Sequence, residues 1–431
     1  MQTLEASVRD AAVSQHDDGA RRGGFVFALA VFLATAFKLY LAATTVRTHN
    51  TIFWQKFVVD VQTTGGLGVY YKPYAVTEYF NHPPFVVHFL QFIGWMSDWS
   101  GVSTRFLVRL PTIIADVASA VLVWKMSGRG VFGATSSWVF LLFALSPVSV
   151  LVSGFHGNTD PIMMMFFLLA IWWAMQNRAP WLVGIAFGMS LNIKIVPLVF
   201  VPVFLFALST PKQRIEYSIA AFLTVFVGGL PYLAQDPIFI LRRLFGYNSQ
   251  YGVWRISRLL DGIAPGGALD SLFRECGKFL LVAAIVGVSW MMNRAAKQRG
   301  ASFQATGKSA PENDDATLLF GQCAAVAFLF LALTPGFAYQ YLVWLVPFTL
   351  CLRLPQALWF HAASALYLLS VYTFRWRTVS WYASNPYLSA RWGNHIIILE
   401  TLCWTCVAVL AYSLVKQMLK TSDKSPIEYS L

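Results

Sequence analysis

The chain has 431 residues, 57% of them hydrophobic and only 12% charged, with a mean hydropathy of +0.57. A soluble protein carries about 25% charge, so a soluble globular fold is excluded, and apolar segments of about 17–25 residues recurring from end to end predict an all-α polytopic membrane protein. The formal net charge of +12 does not suggest nucleic acid, because the basic residues lie in short loops and tails, where Lys and Arg mark the cytoplasmic face and the headgroup zone.

Residues 1–24 are polar, and too long and too acidic for a secretory n-region; they read as a disordered cytoplasmic tail. A first span over 25–43 is retained as an anchor. Residues 44–104 form a long first outer loop, mixing aromatics, glycines and the Pro83-Pro84 pair with His49, Asp60, Glu78 and His82. Its apolar piece at 85–95 is short for a span and fits an interfacial or re-entrant helix. A loop this large among short connections is a functional candidate. Further spans are predicted at 106–124, 131–151, 160–176, 180–193, 196–209, 215–233, 273–292, 317–334, 338–352, 357–373 and 395–415, about 12 in all within a range of 10–13. Residues 25–415 thus form one transmembrane domain, followed by a cytoplasmic tail over 416–431.

The even count puts both termini on the cytoplasmic side. Arg21, Arg22, Lys125, Arg129, Lys212, Arg214 and the polar linker 295–315 then lie inside, as the positive-inside rule asks. Four unusual elements share the opposite side: the first loop, the turn 152–160, and the loops 234–272 and 374–394. Their convergence predicts an active site at the extracytoplasmic membrane face.

The turn sets His156, Asn158 and Asp160 between two apolar runs, and an acid at membrane depth is by default a functional group in need of a partner. Lys194, at the outer end of a predicted span, is costly unless it meets an anion; a phosphate clamp is the functional reading and snorkelling to the interface the bland one. Loop 234–272 sets Arg242, Arg243, Arg255 and Arg258 among tyrosines and tryptophans. Arginine forks fit phosphate oxygens and aromatics sit at headgroup depth, which suits a lipid-linked phosphate, with nonspecific attraction to anionic lipid as the alternative. Arg109 and Asp116 are seven residues apart on nearly one helix face and read as an internal pair.

Metal binding needs more ligands than His156 and Asp160, which His49, His82 and Glu78 would have to supply. A lone carboxylate facing water suits a general base better, so no cofactor is expected and a divalent metal is the less favoured alternative. All five cysteines fall in or beside apolar runs, and Cys403-Trp-Thr-Cys406, though spelled like a redox pair, reads as core packing.

In order and spacing these residues resemble the GT-C superfamily of integral-membrane glycosyltransferases, of a bacterial mannosyltransferase-like kind, over most of the chain. Asn81-His82-Pro83-Pro84 resembles the family's Asp-Tyr-Pro-Pro, and Gly65 to Tyr70 its preceding Gly-x-x-x-Tyr. Gly157-Asn158-Thr159-Asp160 is similar to its Gly-Gln-x-Asp, and Asn192 to Pro197 to its Lys-then-Pro segment. Gly246 to Leu260 is similar to its Tyr-x-Ser…Trp-Gly loop, with Arg255 where relatives often have Gly, and Gln340-Tyr341-x-x-Trp344 to its late Gln-Tyr-x-x-Trp.

The resemblance implies inverting transfer of a hexose such as mannose from a polyprenyl-phosphate donor to a lipid, glycan or protein acceptor, at the outer face of a bacterial inner membrane. Lys194, Arg242, Arg255, Arg258, Gln340 and Tyr341 are the expected donor contacts, with His82, His156 and Asn158 around them. One departure matters. The family's catalytic aspartate stands about 15 residues before Gly65, where this chain has Asn50, and asparagine cannot act as a base. The role then falls to Asp160, His49 or Asp60, in that order. A transporter is a rival reading, but no internal symmetry of the halves supports it; a non-catalytic GT-C-like scaffold is the other, motivated by Asn50.

Overall fold

The computed structural model describes residues 2–45, 49–72, 80–127, 141–247, 249–305, 314–375 and 393–420. Within them the regular structure is helical, save one isolated antiparallel bridge between Gln250 and Phe337. Four helices open it: α1 (Gln2–Thr44), α2 (His49–Tyr71), α3 (Phe85–Ser100) and α4 (Thr104–Ser127). Helix α1 includes residues 2–22.

The first outer loop is also more regular than expected. Its polar positions hide α2 from a hydropathy reading, yet Trp54, Phe57, Val61 and Tyr70 on one side of it join Phe80 and Leu90 in a separate core under α3. Gly65 breaks α2 with φ 75 and ψ 167, outside helical space. Pro84 leads into α3, where a missing N–H costs nothing, and Gly101 ends it in the left-handed region.

Among the described residues five helices are long and apolar enough to cross a membrane: Gly23–Thr44, Thr104–Met126, Pro211–Leu233, Ala268–Gly300 and Asn394–Leu419. Shorter apolar helices run over Leu141–His156, Asp160–Met175, Pro180–Ile193, Val196–Ala207 and Thr317–Leu333. The polytopic helical architecture therefore stands, while the expected count of 12 does not emerge as 12 full-length helices. The expected span 338–352 is two 3-10 segments, Tyr339–Leu345 and Pro347–Cys351, and 196–209 opens with a 3-10 segment, Val196–Phe200. Pro197 and Pro347 fall in these segments, where each removes a backbone donor that a continuing α-helix would need. Loop 234–272 forms two surface helices, Pro237–Gly246 and Arg255–Ile263. Most of loop 374–394, over 376–392, lies outside the described residues.

Helices Asp160–Met175 and Thr317–Leu333 lie at the centre, their residues largely buried in one continuous apolar core. Around them, helix Pro180–Ile193 packs tightly on Pro211–Leu233 through Gly184 and Gly188. A Cβ on Gly188 would come 2.7 Å from the Thr224 Cβ and 2.8 Å from the Ala221 carbonyl oxygen. Such a small-xxx-small stripe lets two backbones approach where lipid offers no competing hydrophobic drive. This contact fixes the helix that ends in Lys194.

Candidate functional site

The turn predicted to carry the chemistry is built by three backbone devices. Helix Leu141–His156 finishes in a π-helical turn over Val150–His156. Gly157 caps it at φ 71, and a Cβ there would meet Arg109 Cγ at 2.8 Å and Thr51 Cγ2 at 3.0 Å, so the position is closed to larger residues. Asp160 and Pro161 then start the next helix. Thr51, in the first turn of α2, therefore touches the turn, and the start of the first outer loop meets the second.

Arg109 binds these parts together. Fully buried, it donates from Nη1 to the Ala42 and Thr45 carbonyls at 3.1 and 2.9 Å, and from Nη2 to the Phe155 carbonyl at 2.6 Å. The expected Arg109–Asp116 pair is thus corrected. Asp116 pairs instead with Lys38 from α1 and accepts from the Ser149 and Ser153 hydroxyls. Seven residues return to one helix face, but α1 delivers a closer cation to Asp116 while unpaired carbonyls of α1 and the π turn draw Arg109 away.

Asp160 has no exposed surface. Lys194 Nζ donates to both of its oxygens, at 2.8 and 2.9 Å, and Trp344 Nε1 donates to one of them at 2.7 Å. Lys194 leaves helix Pro180–Ile193 in an extended conformation that turns its side chain back toward the acid. Tyr341 stacks on Trp344 with centroids 4.1 Å apart and has the Lys194 ammonium 5.6 Å from its ring centre; its hydroxyl donates to Ser249 Oγ at 3.2 Å. His82 lies beside Lys194 with its ring 4.8 Å from Trp54. Burial, and after it the Lys194 ammonium, push its pKa down to about 3, so the imidazole is neutral. His156 and Asn158 are buried in the turn, and His156 packs against Tyr372 at 5.5 Å.

The structure therefore gathers His82, His156, Asn158, Asp160, Lys194 and Tyr341, with Gln340 partly buried next in chain. Others are engaged elsewhere. Asp60 pairs with Lys72 along α2. Arg258 Nε lies 2.7 Å from Glu400, and the Arg255 charge also reaches that carboxylate. Arg242 is exposed on helix Pro237–Gly246. His49 begins α2, its side chain lying outside the described residues, and Asn50 beside it is partly buried.

Sequence reasoning passed over Lys38 and Glu400, although each is a single charge inside an apolar run and so called for a partner. Tyr372 carried no such mark. Met163, Phe167, Pro197, Phe200, Phe330, Trp344 and Phe348 line a small apolar cleft of about 10 Å³, room for one water-sized body. Among the described residues no three of His, Cys, Asp and Glu come together as a metal site. All five cysteines are free, with Cys403 and Cys406 buried. Chemically the arrangement offers one ammonium, fixed by a buried acid and edged by an aromatic face, beside apolar side chains.

A family model described as GPI transamidase subunit PIG-U matches residues 67–235, a stretch that takes in α3, α4, the turn and Lys194. GPI mannosyltransferase 1 of Debaryomyces hansenii is 22% identical over 146 residues, 32% of this chain and 34% of that protein. The aligned stretch thus spans about a third of the relative's length.

Proposed function

We propose that this chain is a membrane glycosyltransferase that moves a hexose, mannose by analogy with the similar mannosyltransferase, from a polyprenyl-phosphate donor to an acceptor at the extracytoplasmic face, with inversion. The observation that carries the reading is the Lys194–Asp160–Trp344 cluster, with Tyr341 stacked on Trp344. An ammonium already oriented needs no reorganisation as charge develops on a departing phosphate. A phosphate leaving group needs no general acid.

In this reading Asp160 is a positioning residue, since Lys194 and Trp344 occupy its oxygens. Asp60 is likewise engaged by Lys72. Deprotonation of the acceptor hydroxyl falls to the first turn of α2, where His49 stands beside Asn50 and two residues from Thr51, which touches Gly157. The test is transfer from labelled polyprenyl-phosphate mannose by purified protein, with His49→Ala expected to lower kcat by about 10²–10⁴-fold. Absence of transfer to any lipid, glycan or peptide acceptor sinks the enzyme reading.

A second reading, a non-catalytic subunit that binds a glycolipid, is favoured by Asn50 at the aspartate position and by the match to a transamidase subunit. Saturable donor binding without transfer is its signature.

A further inference from the structure

Two π-helical turns meet at the site: Val150–His156 before the Gly157 cap, and Val371–Arg375 after helix Leu354–Ser370. π turns are rare and occur mostly at functional positions, where the widened backbone re-aims a side chain. The second turn aims Tyr372 at the first. Its ring packs edge-on to Phe155 at 5.3 Å and tilted against His156 at 5.5 Å. The residue is 4% exposed, and its hydroxyl has no hydrogen-bond partner among the described residues.

A buried hydroxyl left unpaired is destabilising, and in a native protein it calls for an explanation. Tyr217 and Tyr367 also lack partners, but Tyr217 lies among Phe187 and Phe204 and Tyr367 near Trp254 and Phe337, away from the turn. Tyr372 alone of the three packs on the residues that precede Asp160, within reach of that acid's charge. Lys194 already matches an anion. A neutral phenol donor beside a carboxylate suits a neutral oxygen acceptor instead.

We infer that Tyr372 is a substrate-contacting residue whose hydroxyl donates to a hydroxyl of the donor's sugar, and so helps the site tell a glycosylated polyprenyl phosphate from the bare lipid phosphate. The inference rests on the proposed sugar-transfer reading. A site built around such a bond rejects a ligand that lacks the partner group, since its own polar atom is then left unpaired.

The test compares wild type with Tyr372→Phe, using polyprenyl-phosphate mannose and polyprenyl phosphate as probes in detergent-solubilised full-length protein. The ligand-free Tm is expected to stay level or rise, because the atom removed has no partner. Affinity for polyprenyl-phosphate mannose is expected to fall about tenfold, with affinity for polyprenyl phosphate unchanged. A drop in Tm overturns the inference, as it reveals a structural bond. So does equal affinity of both proteins for the mannosylated lipid, or an equal loss for both probes. If wild type binds neither lipid, the proposed function falls and this inference with it.

Discussion

At the residue scale the Asp160–Lys194 pair behaves as one unit. Lys194→Met leaves a fully buried carboxylate without its cation, and breaking such a pair from one side costs about 3–5 kcal/mol. The loss appears as a lower unfolding midpoint in detergent, and adding Asp160→Asn to Lys194→Met recovers most of it. A double variant no better than the single one shows that the ion pair is not what holds the site.

His82 supplies a pH dependence. Its folded pKa is lowered to about 3, against an ordinary value near 6.5 in the unfolded chain. Between those values the unfolded state binds the extra proton. The stabilising contribution is thus complete above about pH 6.5 and is lost progressively as pH falls toward about 3. The groups that face it are the Lys194 ammonium and the Ile193 backbone. Thermal unfolding across this window should show a steeper acid loss in wild type than in His82→Gln; parallel curves refute the assignment. At this scale the sequence announced Asp160, Lys194 and His156 through cost, since each is a polar group next to long apolar runs, and His82 through the resemblance of Asn81-His82-Pro83-Pro84. It left the wiring hidden, because which cation meets which acid depends on helix neighbours far apart in the chain, as Lys38 and Arg109 show.

At the element scale the helix carrying Lys194 is held by its glycines. Gly188→Leu puts a branched side chain where Thr224 and the Ala221 carbonyl already stand, and overpacking of this kind costs about 1–3 kcal/mol. The helix moves off Pro211–Leu233 and Lys194 moves with it. Both Tm and donor affinity should fall, whereas Leu at the lipid-exposed Ile185 position changes neither; a Gly188→Leu protein with normal donor affinity would falsify the coupling. The α1–α4 contact gives a matching case. Lys38→Met strands Asp116 beside Ser149, and a further Asp116→Asn should restore thermal stability. Helix existence was readable wherever apolar runs were long. α2 was not, because Gln55, Lys56, Asp60, Gln62 and Thr63 interrupt the run while the face toward α3 stays apolar.

At the scale of the whole molecule, the proposed reading has the site open on the side opposite the basic loops, as the positive-inside rule asks. In a cysteine-free background, Arg242→Cys is expected to react with a membrane-impermeant maleimide on intact cells, and Lys416→Cys only after permeabilisation. The reverse pattern places the site on the cytoplasmic side and removes the case for an outer-leaflet donor. Class and polytopic character followed from hydropathy, whose signal is additive along the chain. The span count did not, because 3-10 segments such as Tyr339–Leu345 have the composition of a span without its geometry.

Asp160 and Lys194 stand 34 residues apart, and Trp344 stands 184 beyond Asp160. The three therefore leave the ribosome in order. The acid and the ammonium can meet while their two short helices are still entering the bilayer, so an expensive anion and an expensive cation cross as one neutral hairpin. Trp344 arrives only after most of the chain is made, and its indole N–H gives the acid its third contact. A nascent chain released before that point would hold a hairpin whose acid still lacks its third contact.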